Sequence, residues 1–493
     1  MLKKIKHAFP GGVHPTDGYD KAMTMNLPVR VYWPETVTIL SEQSFGGKCS
    51  FLVKPGDQVR EGQEIGRPEA FMAAPLHASV SGRVMDIREV QNQGRNLLSC
   101  IIKREGPERK EEHSYLKGLE SLEKYTREEL IAMIRDGGLT GMGGAGFPTH
   151  KKYETDKKID ALLINAAECE PGLEHNIRQI EEQCDKVITG IKYSMEIAKA
   201  DKCIIAIKKK NQKAIKTLQA ALANEPDITM HLLPDIYPMG EERAVVRECL
   251  GVNLTPVQLP SAARSVVLNL ETVARIAEAI DEKRPCITKN LTVRGKINGG
   301  NAAHVFMDVP VGVSVGEMIE RAGGIDGEYG EIIMGGAFTG KSTELDAPIT
   351  KTTGGIIVTV EFPDLHGAKM GILVCACGGS EDRMRELAKK MNAEVVSVAR
   401  CKQAIETKPG APLKCLRPGN CPGQVKNNMQ FKKDGCEYII IGNCSDCSNT
   451  VMASGPKMGL KVFHQTDHAM RSVGHALYRT LRVSKQVSQD IDF

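Results

Sequence analysis

The stretch GMGGAGFPTHKK, residues 141–152, places four glycines within six positions and closes on two lysines. Glycine gives up more conformational freedom on folding than any other residue. Such a cluster therefore persists where the backbone needs φ > 0 or must lie against a ligand. Successive N–H groups converging ahead of a helix start form an anion-binding nest, and phosphate is its natural guest. Gly141, Gly143 and Gly146 also satisfy G-x-G-x-x-G, but the dinucleotide fingerprint requires a strand before it and a helix after it. Here the preceding segment, TREELIAMIRDGG, reads as a helix, with Thr126 as N-cap and Gly137 as its stop. The expectation is a phosphate site of another type.

Working outward, an apolar strand DALLINA (160–166) follows a lysine-rich helix start. Helix 176–199, strand 203–208, helix 210–224, strand 228–233, helix 241–250 and helix 267–282 then alternate as in an α/β layer domain. Upstream, residues 27–105 alternate short β-rich runs with turn signals, including LVKPGDQVREGQEIG (52–66) and HASVSGRVMDI (77–87). The first is similar to the hairpin of lipoyl- and biotinyl-carrier folds, but Pro75, Leu76, His77 and Ala78 stand where a carrier lysine would be, so no swinging arm is offered. Residues 286–345 carry short strands and the helix VSVGEMIERAGG, and from Gly371 a second alternation begins: ILVCAC, helix 381–391, EVVSVA, EYIIIG and LKVFH. The reading is a multidomain α/β chain: a β domain at 1–110, an α/β domain at 125–285, a compact α+β module at 286–345, a linker at 346–370 and a cysteine-rich α/β domain at 371–493.

Composition restricts the function. A chain of 493 residues is too long for one core, and 41% hydrophobic with 26% charged residues is ordinary for a globular protein. A net charge of +4 gives no nucleic-acid signature. The basic N-terminus is not followed by an apolar core, and no run approaches the roughly 18 apolar residues of a membrane span. The expected location is cytoplasmic, or peripheral to a membrane. Fifteen cysteines without an export signal read as thiols of a reducing compartment. Eight of them crowd between Cys375 and Cys447.

NAAECEP (165–171) ends an apolar strand, YPMGEER (237–243) opens a later helix, and NLET (269–272) follows. With GMGGAGFP, and in this order, these blocks resemble the flavin- and NADH-binding subunit of respiratory complex I and its relative RnfC. The resemblance implies FMN, with Gly141, Gly143, Gly144, Gly146 and Lys152 on its phosphate and ribityl groups. It places Asn165, Glu168, Gly240, Glu241, Glu242 and Asn269 around the isoalloxazine, and Phe147 and Glu170 facing the nicotinamide of NADH. Ala167 and Met142 stand where the complex I pattern has aspartate and arginine, which moves the chain to the RnfC side. GGVHP (11–15), a barrel-sandwich β domain, a flavin domain and a β-grasp (SLBB-like) module occur in that order in RnfC.

RnfC continues into two C-x2-C-x2-C-x3-C-P runs that wrap [4Fe-4S] clusters. None is present here; the tail instead holds Cys375, Cys377, Cys401, Cys415, Cys421, Cys436 and Cys444-Ser445-Asp446-Cys447. Cys377, Cys401 and the Cys444/Cys447 pair each follow a strand. In an open parallel sheet strand ends share one edge, so the thiols converge there. Cys444 and Cys447 ahead of a helix suit a redox dithiol, with Cys375 and Cys377 as further active thiols. A second reading assembles an iron–sulfur or zinc site from Cys377, Cys401, Cys444 and Cys447, and a third leaves the thiols inert. His464, His468 and His475 read as structural. GNCSDCSNTVM and HQTDHAMR are similar to the electron-transfer proteins associated with proline reductase. That resemblance implies a route from NADH through FMN and cysteine thiols to D-proline reductase. The alternative is an RnfC-type subunit of a membrane-associated Rnf complex, with a [4Fe-4S] cluster in the tail.

Overall fold

The parallel sheet at the centre of the chain runs in the order Ile228–Leu233, Lys202–Lys208, Ala161–Ala166, Ser265–Asn269. The computed structural model describes residues 32–106, 119–235, 239–255, 257–300, 302–376, 379–406, 413–415, 422–442, 450–474, 478–480 and 486–488. Helices cover both faces, which is why the strands read as continuous apolar runs rather than alternating ones. Leu162, Ile164, Ile205 and Ile207 pack with Ile191 and Ile276 of the helices Cys184–Ala198 and Leu270–Asp281. On the other face Leu163, Ala206 and Val267 meet Val245 and Val246 of the helix Glu242–Leu250.

The helix Arg127–Asp136 begins and ends where its sequence signals say. Thr126 and Glu129 form a reciprocal capping box, and Gly137 is the C-cap. Two expectations need correction. Residues 267–282 are not one helix: SVVLN makes the fourth strand, Ser265–Asn269, and Asn269 then caps the helix Leu270–Asp281. Residues 176–199 break at Gln183, where φ is −134°, into His175–Glu182 and Cys184–Ala198.

Residues 36–104 form two antiparallel sheets, one of Thr36–Leu40, Arg95–Arg104, Gly82–Asn92 and Gln58–Val59, the other of Cys49–Phe51, Glu64–Pro68 and Leu76–His77. A five-stranded sheet follows the central α/β domain in the order His304–Pro310, Thr288–Gly295, Gly355–Val358, Ile332–Met334, Lys341–Thr343, with the helix Val315–Ala322 after its first hairpin. Its central strand, Gly355–Val358, lies inside the segment 346–370, so that segment is not a linker throughout. The strand is short and wholly buried, so its signal is a brief β-branched run, Ile356-Ile357-Val358, without polar alternation. Val37, Ile39 and Ile102 of the N-terminal sheets share a single core with Leu291, Val293 and Phe306 of this module.

The C-terminal unit is again a parallel sheet, ordered Glu394–Arg400, Lys369–Val374, Tyr438–Ile441, Lys461–His464, with the helices Glu381–Lys390, Val425–Lys433 and Asp467–Ser472. GGVHP, Tyr237, Pro238, Cys377, Cys421, Cys444, Cys447 and His475 lie outside the described residues.

Candidate functional site

Strand ends, not strand middles, supply the chemistry. The carboxyl edge of the central sheet opens into a cleft of about 2000 Å³, larger than the ~300–1,000 Å³ of a small-ligand site. Ligands in open α/β sheets sit at this edge because the loops there are free to vary while the strands hold them. One wall carries Gly143, Gly144, Asn165, Glu168, Glu170, Gly240, Glu241 and Asn269. Eight of the residues singled out in the sequence therefore meet, although they come from four separate stretches of chain.

The glycine loop is followed by a short 3-10 turn, Thr149–Lys152, rather than by the helix expected there. The helix start it uses is a distant one. The Met142 N–H donates to Thr272 Oγ1 at 3.1 Å, and Gly143 rests against the Asn269 side chain, so the loop lies across the N-terminus of Leu270–Asp281. Asn269 Oδ1 caps that helix by accepting from the Glu271 N–H at 2.9 Å. Glu241 caps the neighbouring helix, accepting from Arg243 N–H and Ala244 N–H at 3.0 and 3.1 Å. Asn165 ties two stretches of this wall together by donating from Nδ2 to the Gly240 carbonyl at 2.7 Å.

Gly141, Gly146, Phe147, Lys152 and Glu242 are not on the cleft wall. Gly146, at φ +71°, turns the chain so that Phe147 stacks on Phe45 of the N-terminal sheets, with centroids 6.3 Å apart. Gly141 closes the loop, its N–H donating to the Phe147 carbonyl at 2.8 Å. Lys152 Nζ donates to Glu242 at 2.9 Å and to the Val267 carbonyl at 2.7 Å, so the two residues neutralise each other just behind the site.

The acidic run resolves into distinct environments. Glu168, at φ +38°, accepts from the Asn176 N–H at 2.7 Å and lies 3.9 Å from His175 Nδ1. Glu170 reaches the five-stranded sheet, where it accepts from the Phe338 N–H at 2.8 Å and the Thr339 hydroxyl at 2.7 Å. Burial raises its carboxyl above the usual carboxylate range, against the lowering pull of those hydrogen bonds and of Lys208. Burial also pushes the Cys169 thiol up to about 11, which leaves it a poor nucleophile.

The opposite wall was not legible as such. It is the turn GGAFTGK (335–341) of the five-stranded sheet, joined by Gln91 and Gln93 from the long N-terminal hairpin and by Ala376, Arg383, Leu413 and Cys415 of the C-terminal unit. Residues 335–342 match the G-x-x-x-x-G-K-S spacing, a signal that could have drawn notice. The turn links two antiparallel strands, however, rather than a strand and a helix. His175 and Asn176 were missed because nothing but their place after NAAECEP marks them. Cys375 and Cys401 pack in one buried cluster with Ala404 at the strand ends of the C-terminal sheet, and Cys415 pairs in register with Ala404. No group of three or more His, Cys, Asp or Glu suited to a metal occurs among the described residues. His464 and His468 sit on Asp467 and Glu331.

A flavin mononucleotide suits these residues. Gly144 faces open space, two capped helix starts border the same wall, and the buried Asn176 Oδ1 and Thr343 Oγ1 on the cleft have no hydrogen-bond partner among the described residues. Such orphan atoms are costly unless a ligand or water satisfies them.

Comparison with known proteins agrees with that fit. Residues 134–278 match the Nuo51 FMN-binding domain, and residues 7–106 match the RnfC barrel sandwich hybrid domain. The chain is 32% identical to the C subunit of the Na+-translocating ferredoxin:NAD+ oxidoreductase complex of Acetobacterium woodii, over 72% of this chain and 80% of that one. The chain belongs to the RnfC family. A second RnfC-family relative, the C subunit of the proton-translocating ferredoxin:NAD+ oxidoreductase complex of Clostridium ljungdahlii, is 32% identical over 72% of this chain and 77% of that one. The cobalamin reductase PduS of Citrobacter freundii is 37% identical over 48% of this chain and 50% of that one. As an RnfC-family member the chain is an electron-transfer oxidoreductase component, and FMN is the cofactor of its central domain. No helix among the described residues is long and apolar enough to cross a membrane.

Proposed function

We propose that this RnfC-family chain exchanges a hydride between NADH and FMN in the cleft and relays the electrons to a redox centre in its cysteine-rich tail. One observation carries the reading: the wall built from Gly143, Gly144 and Asn165 and the C-terminal residues Ala376 and Cys415 border the same cleft. In this reading the loop 141–146 and the start of the helix after Asn269 receive the phosphate and ribityl groups. Asn165, Glu168, Glu241 and Asn269 orient the ring, and the paired Lys152 and Glu242 support the loop from behind. FMN supplies the step between two-electron and one-electron chemistry. The residues around it fix its orientation and exclude water, and Glu168 with His175 offers a place to hold a proton. The module 286–345, extended to Val358, is read as a β-grasp unit that roofs the site.

The identities over most of the A. woodii and C. ljungdahlii proteins favour work inside an ion-translocating oxidoreductase complex of the Rnf type, with this chain peripheral to the membrane. The tail supports a second destination. It has no C-x2-C-x2-C-x3-C-P run, and Cys375, Cys401 and Cys415 gather at one strand edge, which suits delivery through thiols to a reductase such as D-proline reductase. Anaerobic NADH titration of the purified protein, followed by flavin absorbance with counting of new thiols and of iron and acid-labile sulfide, tests both. Flavin bleaching with two new thiols and no iron supports the thiol route, and bleaching with bound iron and sulfide supports the Rnf route. A colourless protein that does not take up FMN refutes the relay.

A further inference from the structure

A single three-residue strand, Ile332–Met334, is fastened at both ends by carboxylates from different parts of the molecule. Glu331, which precedes it, is buried and its backbone bonds to Thr359 of its own module, yet the partners of its carboxylate among the described residues come from the C-terminal unit. It accepts from Arg383 Nη1 at 3.1 Å, from Lys390 Nζ at 2.6 Å and from His468 Nε2 at 2.6 Å, with a second bond from Arg383. Burial alone would raise the Glu331 carboxyl, but the His468 and Arg383 hydrogen bonds hold it well below the usual carboxylate range. At the other end the strand runs into the turn 335–340, and there Glu170 of the flavin wall takes the Phe338 N–H and the Thr339 hydroxyl. Gly336 lies so close under the Glu170 carboxylate that no side chain fits between them.

The faces between these ends are also engaged. Ile333, Ala337 and Phe338 pack against Ala469, Met470 and Val473 of the C-terminal unit in one apolar cluster. The Val360 N–H donates to Ser472 Oγ at 2.8 Å. A strand this short, held by carboxylate hydrogen bonds at each end and by apolar packing along its length, transmits position because packed cores shift between discrete arrangements rather than stretching.

We propose that the strand Ile332–Met334 positions the cysteine-bearing C-terminal unit over the flavin cleft, with Glu331 holding that unit and Glu170 holding the strand to the FMN-binding domain. Glu331 and Glu170 are positioning residues in this device. The inference rests on the flavin-to-tail reading for its consequence in electron transfer, while the mechanical coupling stands on the contacts themselves.

The test uses the full-length, FMN-loaded protein with Glu331→Gln and Arg383→Met as independent variants, and Glu170→Gln at the far end. Amide hydrogen exchange is read in residues 335–340, 381–390 and 467–472. Glu331→Gln and Arg383→Met are expected to speed exchange in the turn 335–340 as well as in the C-terminal helices, and Glu170→Gln to speed exchange in 381–390, which it does not touch. Glu331→Gln, at a residue that is not on the cleft wall, should also leave flavin reduction by NADH unchanged while slowing formation of tail thiols on the order of a hundredfold, the effect of an ångström-sized misplacement. Exchange that changes only next to each substitution overturns the proposal. So does wild-type transfer to the thiols in Glu331→Gln. A wild-type protein that forms no thiols while the exchange coupling is present refutes the relay and leaves the positioning device supported.

Discussion

Gly143 and Gly144 are neighbours with opposite reasons for being glycine. A methyl group at Gly143 would overlap the Asn269 amide, whereas one at Gly144 would meet nothing within 4 Å and project into the cleft. Gly143→Ala should therefore destabilise the flavin-free protein by roughly 1–3 kcal/mol, the usual cost of overpacking. Gly144→Ala should leave that stability unchanged and weaken FMN binding by about tenfold, or ~1.4 kcal/mol. Thermal unfolding with and without added FMN, alongside flavin fluorescence titration, separates the two; equal behaviour of the variants would remove the loop from the flavin site. The sequence alone showed that this loop needs glycine but not which glycine serves packing and which serves a ligand. That distinction depends on Asn269, whose approach is set by the fold. For the same reason Lys152 and Glu242 were each legible as residues of the site, while their pairing was not.

The helix Leu270–Asp281 illustrates how an element can be read correctly in type and wrongly in extent. SVVLN runs into the helix with no glycine or proline between them, so only the adjacent valines marked a strand, and helical periodicity absorbed it. The same helix buries Glu271, Arg275 and Glu278 along one face, spaced four and three residues apart so that they fall on a common stripe. Arg275 donates to Glu278 at 3.0 Å, to Asp308 at 2.6 Å and to Asn290 at 3.2 Å, while Lys289 bonds to Glu271. A charged stripe normally signals solvent; here it faces the next module, which no local pattern discloses. Arg275→Met should cost about 3–5 kcal/mol in denaturant unfolding, because it strands buried carboxylates. Acid should act on the same cluster. Burial would raise the Glu278 carboxyl, but Arg275 and Lys186 bring it down to about 2, and Asp308 is lowered in the same way. With folded values below the unfolded ones, the stabilisation is complete above the ordinary carboxylate range and is lost as pH falls toward 2. The melting temperature of the wild type should drop across that interval more steeply than that of Glu278→Gln. Parallel curves would show that the cluster does not govern acid stability.

Lys351 is the joint of the larger assembly. Its buried ammonium donates to the Pro75 carbonyl of the N-terminal unit at 3.0 Å and to the Gly138 carbonyl of the FMN-binding domain at 2.7 Å, and it comes from the module between. Lys351→Met leaves two buried carbonyls short of a donor, at roughly 1–3 kcal/mol each. Limited proteolysis should then cut between the units faster than in the wild type; an unchanged pattern would assign their cohesion to apolar contact alone. Hydrophobic pattern and turn residues disclosed most strands and helices of every unit, since these depend on neighbours in sequence. They did not disclose that the N-terminal sheets and the five-stranded sheet share one core, because periodicity tells which side chains leave water and not what they meet. That shared core bears on how the protein is made. Val37, Ile39 and Ile102 emerge from the ribosome long before Leu291, Val293 and Phe306, and the parallel sheet between them is translated in the interval. Until those later residues arrive, the first-made sheets hold apolar faces with no native cover, the kind of transiently exposed surface that invites aggregation during synthesis.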